Sequence, residues 1–461
     1  MTERAAGELD RGALPLLPVI GADLAVPLVT GGTVRYANLD YAASAPALES
    51  VAQRVQECLN TYSSVHRGAG WPSMVSTALY EQARETVGMF VGARPTDAVV
   101  FTRNTTDSLN LLASVVPAGG HVVHLDSEHH GNLLSWQHCR HTVVPVARTV
   151  RETLAALESA LAAGGAATNR NPALVSITGA GNVTGEMPPL PEIVALARAH
   201  GARVAVDGAQ LLPHRRVDMA AQGIDYLAFS GHKLYAPFGA GVLVGKPDWL
   251  DSGAPYLRGG GAVHEVSNTE VEWAAAPARH EGGTPNLVGA VALAAACDAL
   301  SALPAGQLLA HEHALLTHLD AGLADLPEVS TLRIWPEDDV DRVAVRAFTL
   351  DGWDPQLVAT YLSAEHGIGV RNGRFCAHQL VSRLLPPTGG SAPAPQALRA
   401  SLGVGSSATD VDRLVDALRA FVNKGALWGY TQVDGQWVPS PDPRSWGPAR
   451  AGYSLAAPCG T

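Results

Sequence analysis

The chain holds three lysines, Lys233, Lys246 and Lys424, against 29 arginines. Lys233 closes the run Tyr226-Leu-Ala-Phe-Ser-Gly-His-Lys, where an apolar stretch ends in a polar turn. Arginine keeps its charge at any ordinary pH, whereas a lysine with a depressed pKa can shed its proton and form a Schiff base. By itself such a lysine is an ordinary solvated side chain. Other residues of binding type fall at similar junctions. Thr105 and Thr106 open a helix, where free N–H groups and two hydroxyls can cradle phosphate; alone they read as an N-cap. Asp207 ends a β-branched strand and can pair with a cationic nitrogen, or simply shape a turn. His129 offers a flat ring for stacking, or is a plain loop histidine. Ser230 and His232 flank Lys233 within reach of a phosphate. Together these supply an amine, an anion for a ring nitrogen, a stacking ring and a phosphate cradle, the set a pyridoxal phosphate site requires.

The elements that must hold these residues alternate in type. Strands are predicted at Ala98–Phe101, His121–Leu125, Leu174–Thr178, Arg203–Val206, Tyr226–Phe229 and Gly241–Val244, separated by helix-length segments. That order argues an α/β fold with a parallel or mostly parallel sheet and crossover helices. Ligands of such sheets sit at the carboxyl ends of the strands, where the polar residues above fall. Helical spacing marks Pro46–Tyr62 and Ser76–Val91, and the glycines of the loop Ser63–Gly70 between them permit close backbone approach. After Val288 helices and strands alternate on a smaller scale, with Pro355–His366 and Thr409–Val422 as helices. The expected division is a loosely structured lead-in over 1–34, a large α/β domain over 35–300, a small α+β domain over 301–424 and a tail over 425–461. The first residues of the large domain are candidates for sharing with the small one. The tail is rich in Pro, Gly and Trp; it is expected to pack on the surface through Trp428, Trp437 and Trp446, or to be partly disordered.

Composition narrows the classes. The net charge is −11 and no Lys/Arg block occurs, which argues against nucleic acid and anionic membranes as partners. Asp10, Pro15, Pro18, Asp23 and Pro27 break up the N-terminal segment, so neither a signal peptide nor a membrane span is expected there. Val288–Leu303 is apolar but short and reads as a buried helix. Five scattered cysteines (Cys58, Cys139, Cys297, Cys376, Cys459) form no CxxC pair, which argues against a disulfide framework and a structural metal site. A cytoplasmic protein is expected.

Thr105-Thr106, Glu128-His129-His130, Asp207-Gly-Ala-Gln210, Ser230-Gly-His-Lys233, Gly283-Thr-Pro-Asn286 and Arg371-Asn-Gly-Arg-Phe-Cys376-Ala377 occur in that order, with Asp207 26 residues before Lys233. From about Ala37 to Val422 the chain resembles the class V aminotransferase family of pyridoxal phosphate enzymes, most of all its cysteine desulfurase/selenocysteine lyase branch. The resemblance implies the type I pyridoxal phosphate-dependent transferase fold, with a mostly parallel seven-stranded sheet, helices on both faces and a smaller α+β domain. It makes Lys233 the cofactor lysine, Asp207 the partner of the ring nitrogen and His129 the stacking ring. Gln210 and Asn182 fall to the phenolic oxygen side. Thr105, Thr106, Ser230 and His232 fall to the phosphate, with Thr284 reaching it from a second subunit, which implies a homodimer. Arg399 would pair with the substrate carboxylate, His66 would lie nearby, and Arg371 is a second candidate for that carboxylate or for anchoring the loop.

The same resemblance makes Cys376 the sulfur-accepting thiol. Cys58, Cys139 and Cys297 lie on helical or apolar stretches and read as structural, whereas Cys376 lies in a glycine-containing loop beside Arg371, Arg374 and His378. The chain departs from the family pattern at Arg374–Phe375, where two histidines are usual, at Gly179-Ala-Gly181 and at Asp107. The expected reaction takes sulfur from L-cysteine, leaving L-alanine and a Cys376 persulfide, with a sulfur-acceptor protein as partner. Alternatives are a C–S lyase, an epimerase or a selenocysteine lyase, and, outside catalysis, a degenerate scaffold protein.

Overall fold

Six apolar runs and one half-polar run hydrogen-bond into a seven-stranded sheet: β1 (Ala98–Thr102), β2 (His121–Leu125), β3 (Arg140–Val144), β4 (Leu174–Thr178), β5 (Arg203–Asp207), β6 (Tyr226–Ser230) and β7 (Gly241–Gly245). The structure is a computed structural model and describes residues 13–166, 174–386 and 394–445. Across the sheet the order is β1-β7-β6-β5-β4-β2-β3. Strands β3, β2, β4, β5 and β6 pair in parallel, and β7 runs antiparallel to both β6 and β1. Strands β2, β6 and β7 are buried along their whole length, and β4 and β5 nearly so, which is why they read as largely apolar runs. β3 is the edge strand that sequence reasoning missed, because its Arg-His-Thr half faces solvent. The helix Val150–Ala166 was missed as well.

Helix Leu287–Ser301 is apolar all round, and its residues are largely buried beneath helices Glu49–Leu59 and Trp71–Phe90. A second core forms around Leu319, Phe348, Leu362, Leu398, Leu414 and Phe421. There β8 (Val329–Thr331), β9 (Val345–Leu350), β10 (Arg371–Gly373) and β11 (Ala397–Ser401) make a sheet of order β8-β9-β11-β10. Ala37 and Leu39 belong to this second core, and Ala37–Asn38 pairs in parallel with Ile368–Gly369.

Both ends of the described chain are fastened to the rest of the fold. Residues 13–34 are tied down rather than loose: the Leu16 N–H donates to the Val404 carbonyl, and Ala25–Pro27 pairs with Thr33–Arg35. In the tail, β12 (Tyr430–Val433) and β13 (Gln436–Pro439) form a hairpin around Asp434-Gly435, both in the left-handed region. Buried Glu365 holds it by accepting from the Leu427 and Trp428 N–H groups and the Tyr430 hydroxyl, at 2.9–3.0 Å. Trp437 donates to Asp354, while Trp428 bonds within the tail to the Pro441 carbonyl. Trp446 and Cys459 lie outside the described residues.

Candidate active site

The carboxyl ends of β1, β2, β4, β5 and β6 open on one edge of the sheet, and each contributes a polar group. After β1, Asn104 caps helix Thr105–Val115 by accepting from the Asp107 N–H. The Thr105 N–H and hydroxyl both bond Ser230 Oγ, at 2.7 and 2.6 Å, which locks the helix start to the end of β6. Thr105 and Ser230 thus satisfy one another. The exposed Thr106 keeps its N–H and hydroxyl without a partner among the described residues, at the positive end of the helix. Gly241 makes this junction possible, since a Cβ there would fall on the Asn104 backbone.

After β2 comes His129. Its Nδ1 accepts from the Gly131 N–H at 3.0 Å, so the neutral ring carries its proton on Nε2. Burial, then the charges of Lys233, His130 and Arg399, push its pKa down to about 3. A side chain at Gly131 would come within 3.0 Å of Thr106 Oγ1 and 3.2 Å of His129 Nδ1, so this glycine lets ring and hydroxyl converge. After β5, buried Asp207 accepts from the Ala209 N–H at 2.9 Å, and burial raises its pKa. After β6, the Lys233 amine has neither hydrogen bond nor ion pair among the described residues. Burial lowers its pKa, with Asp207 and Cys376 opposing and Arg399 assisting. An amine held this way gives up its proton more readily than an exposed one.

Arg399, on β11, reaches in from the smaller sheet. Its Nη1 donates to the Asn182 carbonyl and its Nη2 to Asp40, each at 2.9 Å, while its buried Nε has no partner. Arg371 lies directly opposite Arg399 in the β10–β11 ladder, more exposed. Cys376 follows β10 in a loop where Phe375 and Cys376 both take left-handed φ values of 53°. Such a conformation costs about 1–2 kcal/mol per non-glycine residue, so the loop must be held. Asn182 Nδ2 donates to the Phe375 carbonyl at 2.7 Å, the His130 N–H donates to the Cys376 carbonyl at 2.8 Å, and Arg399 stacks over the Phe375 ring.

Other candidates are placed differently. Gln210 is buried and donates to the Ala42 carbonyl at 2.7 Å. His232 bonds Ser44, and burial first, with Lys233 adding, lowers its pKa to about 4. His66 bonds Glu81 at 2.7 Å and packs on Tyr80, so none of its contacts belongs to the Lys233 cluster. Thr284 is exposed, on a loop pinned where Arg67 donates to the Gly260 and Gly283 carbonyls. Sequence reasoning missed Asp40, the carboxylate that fixes Arg399, and no local signal marks it. It also missed the edge-on ring pair of His130 and His378, 4.4 Å apart beside Cys376.

A partnerless amine, a buried carboxylate, a neutral ring and a free helix N–H with a hydroxyl fit pyridoxal phosphate by chemistry. Fold and site together define a pyridoxal phosphate-dependent enzyme of the type I transferase fold. The profile of the class-V aminotransferases matches residues 37–414, and the chain belongs to that family. It is 37% identical over 395 residues to a cysteine desulfurase of Dickeya dadantii, covering 83% of this chain and 91% of that one. Among solved structures, a cysteine desulfurase of Escherichia coli superposes with a TM-score of 0.72 at 31% identity, covering 84% of this chain and 95% of that one. One from Thermococcus onnurineus superposes with a TM-score of 0.74 at 29% identity, with the same coverage of both chains.

Proposed function

We propose that the protein is a pyridoxal phosphate-dependent cysteine desulfurase that takes sulfur from L-cysteine, releasing L-alanine and leaving a persulfide on Cys376. The observation that carries this reading is the convergence of Lys233, Asp207, Arg399 and Cys376 in one shared field at the sheet's carboxyl edge. Lys233 would hold the cofactor, Asp207 would pair with its ring nitrogen and His129 would stack on its ring. Thr106, with Thr105, Ser230 and His232, would take the phosphate, and Asn182 and Gln210 would serve the phenolic side. When bound, the cofactor withdraws electrons from the substrate's α-carbon. Arg399, with Arg371 beside it, orients the substrate carboxylate. Lys233 as the free amine takes the α-proton. The Cys376 thiolate then attacks the substrate sulfur: an S–S bond forms, the C–S bond breaks and its electron pair stays with the β-carbon, which takes up a proton, and Lys233 returns the α-proton to complete alanine. Two further observations support Cys376, namely its strained loop and the clamps from Asn182 and His130 that fix it.

In the same reading the large domain spans 35–300, its first residues shared with the small domain over 301–424, and the protein works in the cytoplasm as a homodimer. Exposed Thr284 reaches the phosphate of the partner site, and the persulfide passes to an acceptor protein. Incubation with L-cysteine and product analysis test the reaction. Alanine without pyruvate is expected; pyruvate with ammonia would show β-elimination instead.

A further inference from the structure

Glu128, immediately before the stacking histidine, is 1% exposed and takes no part in the steps above. Its Oε2 accepts from Asn132 Nδ2 at 2.6 Å, and its Oε1 has no partner among the described residues. Trp136 Nε1 can only donate, and it donates to Asn132 Oδ1 at 3.2 Å. The Ser176 hydroxyl donates to the same oxygen at 2.6 Å. Asn132 Oδ1 is therefore the acceptor end of the amide, and Nδ2 must donate to Glu128. Oε2 is thus an acceptor, and any proton on the carboxyl sits on Oε1.

We propose that Glu128 is a neutral carboxylic acid carrying its proton on Oε1, a positioning residue that leaves Asp207 as the charged carboxylate beside the cofactor's ring nitrogen. Two ionised carboxyls buried close enough to feel each other's field would repel, and an unpaired buried carboxylate oxygen is costly. Burial pushes the Glu128 pKa well up and the field of Asp207 adds to this, against the Asn132 donor and the Thr178 N–H, which approaches without making a hydrogen bond. Glu128 lines a cavity of about 230 Å³ with His130 and His378, whose pKa values are both held down, first by burial, so neither imidazole supplies a charge to ionise it. His129 and Asp207 lie on the other side of it, and the Arg374 guanidinium acts on both cavity histidines.

The inference rests on Asp207 as the ring-nitrogen partner, and the test separates the two. Infrared difference spectra of the apoprotein carrying isotope-labelled glutamate should show a protonated carboxyl band that vanishes in Glu128→Gln. Equilibrium binding of pyridoxal phosphate across pH should leave Glu128→Gln within about twofold of wild type, since glutamine keeps both the acceptor and the donor. Glu128→Leu, which strands the Asn132 amide, should bind about tenfold more weakly. Absence of the band, a shift of the binding midpoint by about one pH unit or more in Glu128→Gln, or normal binding by Glu128→Leu would overturn the proposal. Normal binding by Asp207→Asn would instead overturn the reading of Asp207, whatever the infrared band shows.

Discussion

At the scale of single residues, the site works by keeping groups neutral that would otherwise hold protons. His129 is the clearest case, because its pKa is about 3 in the folded protein against an ordinary 6.5. Between those values the unfolded chain binds the proton and the folded one does not. The folded state therefore loses stability as pH falls from about 6.5, and the contribution is complete above it. Asparagine at 129 would keep the cap on Gly131 without titrating. Melting of the apoprotein at pH 7 and pH 5 should show a smaller acid loss in His129→Asn than in wild type. Arg399 supports a second prediction. Its guanidinium is held flat by Asp40 and the Asn182 carbonyl, so Arg399→Lys loses the fork a carboxylate needs. Steady-state kinetics should show KM for cysteine rising about tenfold or more, with cofactor absorbance retained.

At the scale of elements, the phosphate cradle depends on how closely β7 passes the first turn of helix Thr105–Val115. Gly241→Ala puts a methyl group into the Asn104 backbone and must displace either the strand or the cap. A stability loss of about 2–4 kcal/mol is expected from denaturant unfolding, with weaker cofactor binding at equilibrium. The strands that lead into Thr105, His129, Asp207 and Lys233 were legible in the sequence because burial writes them as short, largely apolar runs. β3 was not, because an edge strand exposes half its residues and its composition follows the solvent. The tail hairpin did carry a local signal, Asp434-Gly435 between alternating segments, and the surrounding Pro and Trp content masked it. Asp40 and the His130–His378 pair were beyond reach, since each owes its role to a partner more than 200 residues away.

At the scale of the whole molecule, the site is built by two cores meeting. Lys233 and Asp207 come from the large sheet, and Arg399 and Cys376 from the smaller one, bridged by Asn182. No helix among the described residues is long and apolar enough to cross a membrane. The tail is fastened to the small core through Glu365, which gathers three donors. Glu365→Ala strands those donors and should cost about 1–3 kcal/mol in unfolding. Limited proteolysis should then cleave near residue 427 ahead of the rest of the chain. Cleavage as slow as in wild type would mean that other contacts hold the tail.

The most direct test of the account follows one sulfur atom. In a single turnover with sulfur-labelled L-cysteine and no acceptor, alanine should form in step with labelled sulfur on the peptide bearing Cys376. Cys376→Ala should keep the cofactor absorbance while losing alanine formation. Alanine released at the wild-type rate by Cys376→Ala, or label that never appears on Cys376, would contradict it.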